Sequence, residues 1–156
     1  MYGGIAVISP GLQPVLYWKD VTPAMHWWIT DEQMEAAYGK PVDPAYWEAN
    51  NSNLIVTQHS RRILDSGIQI YLSVGDEDSM LFTGPVEHFH QILLEHGIKH
   101  EYHVVHGGDH FGRIMYLTIP EQLEFLGRVV NPLGPDPQMQ KFREVIAPAK
   151  KKFGLE

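Results

Sequence analysis

The 156-residue sequence contains no cysteine. That absence removes disulfides, thiolate zinc sites and a cysteine nucleophile together. No apolar run approaches the ~20 residues needed to span a bilayer, so no membrane segment is expected. Met1-Tyr2-Gly3-Gly4-Ile5-Ala6-Val7-Ile8 carries no Lys or Arg ahead of its short apolar stretch and does not read as a secretory signal. The expected location is therefore cytoplasmic, and the sequon Asn50-Asn51-Ser52 would matter only elsewhere. Positive charge is also scarce. The 12 Lys and Arg against 19 Asp and Glu leave a net charge of −7, a poor basis for holding nucleic acid through its phosphates.

What is present is ordinary in amount and uneven in place. A hydrophobic fraction of 44% with 20% charged residues is that of a folded domain rather than a disordered chain. The length suits one domain, residues 1–156, burying roughly two-thirds of its unfolded surface. All four Trp lie in the first third, at Trp18, Trp27, Trp28 and Trp47. Seven of the nine His lie between His88 and His110, so chemistry is sought there first.

Gly4 to Ser9 is a short apolar run without alternation, ended by Pro10-Gly11; it predicts a strand covered on both faces, as in a parallel sheet. Residues 11–52 are rich in Pro, aromatics and turn residues and form an aromatic, lid-like segment. Within it Thr30 predicts a helix N-cap, with Gln33 at the capping-box position and Gly39 as the stop. Asp43-Pro44 opens another short helix, and Ser52 to Leu64 a longer one ended by Asp65-Ser66-Gly67. Ile68 to Val74 is the second strand. Pro85 to His96 predicts an amphipathic helix burying Val86, Phe89, Leu93 and Leu94, with Gly97 as its stop. Lys99 to Val105 is the third strand. Ile119-Pro120 opens a helix through Val130. Residues 132–156 are a proline-rich linker, Pro132 to Pro137, and a final helix, Gln138 to Lys152, basic at its end. Strands alternating with helices predict an α/β fold with a short parallel sheet of about three strands flanked by helices.

Ligands of open α/β sheets bind beyond the carboxyl ends of the strands. Two such ends carry suitable groups. Gly75-Asp76-Glu77-Asp78 follows the second strand, and His106-Gly107-Gly108-Asp109-His110 the third. Either turn alone is an ordinary loop. Together, one helix apart, they can place a carboxylate beside an imidazole, the carboxylate orienting the ring and the ring moving a proton.

Ile70 to Asp78 resembles the strand and acid turn in the C-terminal half of α/β-hydrolases. Val86 to Phe111, with Glu87-His88-Phe89, Leu93 to Ile98 and Gly107-Gly108-Asp109-His110-Phe111, resembles the following helix, strand and histidine loop. Pro44 to Asn51 is similar to the cap and linker of esterases related to enterochelin esterase, and Tyr2 to Pro10 to the strand just after the nucleophile helix. The likeness covers roughly residues 1–130. It implies Asp78 as the acid and His110 as the base, with Asp76 and His106 as their rivals.

The serine of this pattern, in G-x-S-x-G, is not found. Ser9, Ser52, Ser60, Ser66, Ser73 and Ser79 are the only serines, and none has glycine two residues away on both sides. The resemblance therefore implies a partial hydrolase fold, a half-domain beginning just past the nucleophile elbow. It is expected to be inactive alone as an ester hydrolase. A partner chain supplying the nucleophile half would restore activity. The first strand, lacking a neighbour, predicts a homodimer through its edge that completes the sheet. No cofactor is expected. A metal, small-molecule or protein binding module is the alternative: His103, His106, Asp109 and His110 are metal-ligand types, but no H-E-x-x-H spacing accompanies them.

Overall fold

A computed structural model describes residues 3–155, apart from the Ile114 side chain. Met1, Tyr2 and Glu156 lie outside the described residues, and so does the Tyr2 of the first-strand likeness. Three strands, β1 (Gly4–Ile8), β2 (Gln69–Gly75) and β3 (His100–Val105), form a parallel sheet in the order β1-β2-β3. The helices are α1 (Asp31–Tyr38), α2 (Pro44–Ala49), α3 (Ser52–Ser66), α4 (Thr83–Glu95), α5 (Arg113–Tyr116), α6 (Ile119–Val130) and α7 (Pro137–Lys152). Two short 3₁₀ turns, Trp18–Asp20 and Pro23–His26, lie between β1 and α1.

The core follows from β2, whose residues from Ile70 to Gly75 are all buried. Ile70, Leu72 and Val74 point to one face and pack with Val56 of α3 and with Val86, Phe89, Ile92 and Leu93 of α4. Tyr71 and Ser73 point to the other face, which α6 covers. There the Tyr71 ring lies 5.5 Å from Phe125 and stacks on His103 at 4.8 Å. The Tyr71 hydroxyl donates to Glu121 at 3.4 Å. Burial, and then that carboxylate, push its pKa up to about 12.

Local signals set the helix ends as expected. The Thr30 hydroxyl accepts from the Gln33 amide while the Gln33 side chain accepts from the Thr30 amide, a closed capping box. Asp43 caps α2 and Asn51 caps α3. Gly67 ends α3 in the left-handed region, at φ 67°.

Other details differ from the sequence reading. α4 starts at Thr83, not Pro85, and α5 carries no sequence signal. Leu94 is exposed and Ile92 is buried in its place. The buried stripe runs through Val86, Phe89 and Leu93, and Leu94 lies about 100° past Leu93 around the helix. α7 begins at Pro137, with Asp136 as its cap, so the linker ends one residue earlier. β1 is not covered on both faces: α3 and α4 centre on β2, and Ile5 remains 48% exposed. Its other face is tightly covered. A Cβ on Gly4 would sit 2.8 Å from Val129 of α6.

β1 is an edge. The Gln69 amide donates to the Gly3 carbonyl at 3.1 Å, and the Ser9 amide donates to the Ser73 carbonyl at 2.7 Å. In a parallel ladder alternate residues bond to one side. Gly3, Ile5, Val7 and Ser9 therefore face β2, and Gly4, Ala6 and Ile8 turn their backbone groups to the open side. No helix among the described residues is long and apolar enough to cross a membrane.

The inverted burial of two adjacent leucines gives a direct test. Leu93→Ala is expected to cost about 2–5 kcal/mol of unfolding free energy. Leu94→Ala should cost less than about 1 kcal/mol. Urea denaturation of the two variants side by side checks the assignment of the α4 face.

Candidate active site

The loops after β2 and β3 touch because glycine stands at the end of β2. A Cβ on Gly75 would lie 1.9 Å from the Gly108 carbonyl oxygen, so no other residue fits. Gly107, at φ 68°, makes the turn that brings the second loop back. The contact is stitched by backbone bonds: the Asp76 amide donates to the Val105 carbonyl at 3.2 Å, and the Glu77 amide to the Gly108 carbonyl at 3.0 Å.

Two carboxylate–imidazole pairs result. His110 Nδ1 lies 3.2 Å from Asp78 Oδ2. His106 Nδ1 lies 2.8 Å from Asp76 Oδ2. Both the expected pair and its rivals are thus brought together, each with its own partner. Their surroundings separate them. The Asp78 side chain is fully buried and that of His110 is 15% exposed, whereas His106 is 97% exposed.

Asp78 is fixed on both oxygens. Oδ1 accepts from the Met80 amide at 2.9 Å and the Phe82 amide at 3.4 Å, leaving Oδ2 for His110. A carboxylate only accepts, so the imidazole proton sits on Nδ1 and Nε2 is left free to take one. The ring is held edge-on by Phe82 at 4.9 Å and by Phe111 at 4.4 Å. Phe82 in turn meets Trp28 at 4.7 Å, which joins the aromatic segment to the site.

A pocket of about 250 Å³ opens beside His110, lined also by Ile8, Ser9, Phe111, Met115 and Tyr116. Ser9 is its only serine. It follows β1 directly with φ 39°, an uncommon value for a side chain with a Cβ, and its buried hydroxyl has no partner among the described residues. It leads into Pro10-Gly11 and not into a helix, so it is not a strand-to-helix elbow. Ser73, the neighbouring serine of β2, is also buried, with a hydroxyl that has no partner among the described residues.

Asp109, weighed in the sequence as a metal ligand, is a clamp between the loops. Its Oδ1 accepts the Ser79 and His110 amides, both at 2.6 Å. The Ser79 side chain, and then those amides, hold its carboxyl below the usual carboxylate range. His103 sits away on the α6 face, 3.8 Å from both Glu101 and Glu121. The four candidate ligands are therefore not gathered. Among the described residues no group of three or more His, Asp or Glu is placed to hold a metal ion. Sequence reasoning missed the clamp made by Asp109 and the contact of Phe82 with the His110 ring.

No protein-family model matches the chain, and no curated protein matches it at a significant level.

The exposed pair has a measurable signature. The Asp76 carboxylate holds His106 above its ordinary pKa of about 6.5, and His106 holds Asp76 below its ordinary value near 4. His106 is raised on folding, so its contribution to stability is complete below about pH 6.5 and fades as pH rises through its folded value. Asp76 is lowered, so its contribution is complete above about pH 4 and fades on acidification. The pair acts most between those limits. In an NMR titration His106 is expected to titrate above the ordinary histidine range, and Asp76→Asn should return it there.

Proposed function

We propose that this chain is an esterase-derived, α/β-hydrolase-like domain that retains an acid–base pair, Asp78 and His110, and lacks a competent serine nucleophile. The observation that carries the reading is the buried Asp78 carboxylate, fixed by two amides and aimed at Nδ1 of an imidazole whose Nε2 is free beside a pocket. That arrangement orients a ring to move a proton. The chain order supports it: strand, acid turn, helix, parallel strand, histidine turn. The parallel sheet with helices on both faces is compatible with part of a hydrolase fold.

The pair alone supplies little of an ester hydrolysis. Attack requires an oxygen nucleophile next to Nε2 and two amides to hold the oxyanion. Ser9 shares the pocket, but it does not open a helix whose amides could serve there. The isolated chain is therefore expected to hydrolyse p-nitrophenyl acetate and butyrate at the buffer rate. A chain bearing the strand–serine–helix half of an esterase, added in trans, is the source of the nucleophile in this reading. Turnover in the mixture that vanishes in His110→Ala and falls strongly in Asp78→Asn would support it. Turnover by the isolated chain that is lost in Ser9→Ala would overturn it. Binding of a small apolar molecule in the pocket without turnover is the second reading, favoured by the apolar lining from Ile8, Phe111 and Met115. The cysteine-free composition accords with a cytoplasmic setting.

The same reading assigns the open edge of β1 to a second copy, paired antiparallel across a two-fold axis so that two three-stranded sheets become one. Gly4, Ala6 and Ile8 carry the backbone groups that would pair. Their amides are expected to be protected from hydrogen exchange in proportion to protein concentration. Ala6→Pro removes an outward N–H without touching the ladder to β2, and should abolish that protection.

A further inference from the structure

The aromatic segment holds a second pocket, of about 360 Å³, which shares no lining residue with the one beside His110. Trp18 of the first 3₁₀ turn and His26 of the second line it, with Asp31, Met34 and Glu35 of α1 and with Pro41 just beyond that helix. The chain itself fastens these walls. The Trp18 amide donates to the Glu48 carboxylate of α2 at 3.0 Å, and the Trp18 ring lies 5.6 Å from the buried Trp47. The Asp43 amide donates to the Tyr38 carbonyl at 2.8 Å, which turns the stretch around Pro41 back toward α1.

Asp31, Met34 and Glu35 are spaced i, i+3 and i+4, so they share one face of α1, with the two carboxylates one turn apart. Glu35 already holds an ammonium group. Lys40 Nζ lies 3.1 Å from its Oε2, at the end of a side chain that is 81% exposed. So exposed a pair is weak and open to exchange. His26 is only 8% exposed, and its Nδ1 has no hydrogen-bond partner among the described residues. A buried polar atom left in that state is unfavourable until something meets it. The surrounding charge is negative: from Trp18 to Asp43 five acids stand against two bases, Lys19 and Lys40. Carboxylates only accept hydrogen bonds, so the occupant has to donate them. Walls of Trp18, Met34 and Pro41 suit an alkyl chain, and an aromatic ring also attracts a cation. A metal ion fits less well. No group of three or more His, Asp or Glu among the described residues is placed to hold one, and apolar walls cannot replace its oxygen ligands.

We propose that this pocket binds a primary alkylammonium, its charged head held by Asp31 and Glu35 and its carbon chain against Trp18, Met34 and Pro41. His26, more buried than either carboxylate, is the acceptor for a further N–H. The volume is at the small end of ligand pockets, roughly 300–1,000 Å³, and suits one short chain. Lys40 is a competitor built into the chain, because its own ammonium has to leave Glu35 when the ligand arrives. An anion would be repelled by both carboxylates. A quaternary ammonium lacks the N–H that these acceptors take. The pocket is separate from the Asp78–His110 site, and the proposal does not depend on the hydrolase reading.

Titration calorimetry on the full chain with n-hexylammonium, n-hexanol and hexanoate compares three head groups on one tail. Hexylammonium is expected to bind at least about tenfold more tightly than hexanol, and hexanoate more weakly than either. Asp31→Asn, at an exposed position where circular dichroism checks that folding is kept, is expected to weaken hexylammonium at least about tenfold and to leave hexanol unchanged. Lys40→Gln removes the competitor and is expected to tighten hexylammonium about threefold or more. In NMR spectra the Trp18 indole and His26 ring signals should shift on binding, while those of the His110 ring stay in place. A protein lysine carries the same head group as a free amine. Acetyl-lysine methylamide probes that source, and whichever of the two amines binds more tightly identifies it. Hexanol binding as tightly as hexylammonium would overturn the proposal and leave an apolar pocket only. Absence of amine binding would overturn it as well, as would hexylammonium affinity unchanged in Asp31→Asn or lowered in Lys40→Gln. So would shifts confined to the residues around His110. None of these readouts involves turnover, so their outcome is independent of the test of ester hydrolysis.

Discussion

At the carboxyl end of this sheet the absence of a side chain on Gly75 decides whether two loops can meet. The Gly108 carbonyl occupies the space where a Cβ would stand. Because the loops meet, Asp76 reaches His106, Asp109 reaches the amides on both sides of the contact, and Asp78 faces His110. The β2–β3 ladder brings the two strand ends level, from Ile70 opposite His100 to Gly75 opposite Val105. The site is therefore a product of backbone geometry first and of side-chain chemistry second.

Much of this was legible in the sequence, for identifiable reasons. β1 and β2 announce themselves as short apolar runs closed by proline or glycine. The caps at Thr30 and Asp43 are local hydrogen-bond patterns, and local patterns survive folding unchanged. The Asp78–His110 contact was legible because strand ends in a parallel sheet lie side by side. What failed depended on neighbours. Whether Leu94 or Ile92 is buried turns on where α3 lies against α4. Whether both faces of β1 are covered turns on how far the helices reach beyond β2. Asp109 has metal-ligand chemistry in the sequence, and only the proximity of the Ser79 and His110 amides makes it a clamp.

The two histidine pairs show how burial divides labour between similar groups. Asp76 and His106 are closer to each other than Asp78 and His110, yet His106 stands in water. Water screens the exposed pair and leaves it a small electrostatic tie between loops. The buried pair exchanges solvent for amides and aromatic edges, which fix its orientation. A shorter distance marks the less constrained ring.

The connection between β1 and β2 spans 65 residues at Gly4 and Gln69, against 30 between Ile70 and His100. Each doubling of a flexible loop adds only about 0.6 kcal/mol of closure entropy. An aromatic contact such as Trp18 on Trp47 or Trp28 on Phe82 contributes about 0.5–1.5 kcal/mol beyond its buried area. The segment from Gly11 to Ser52 is thus an insertion that the sheet tolerates at almost no entropic penalty. It touches the site through the Trp28–Phe82 contact alone among its aromatic pairs. Its length and content can diverge while the ladder and the two loops stay fixed, so the aromatic segment and the Asp78–His110 pair are separable parts of one chain.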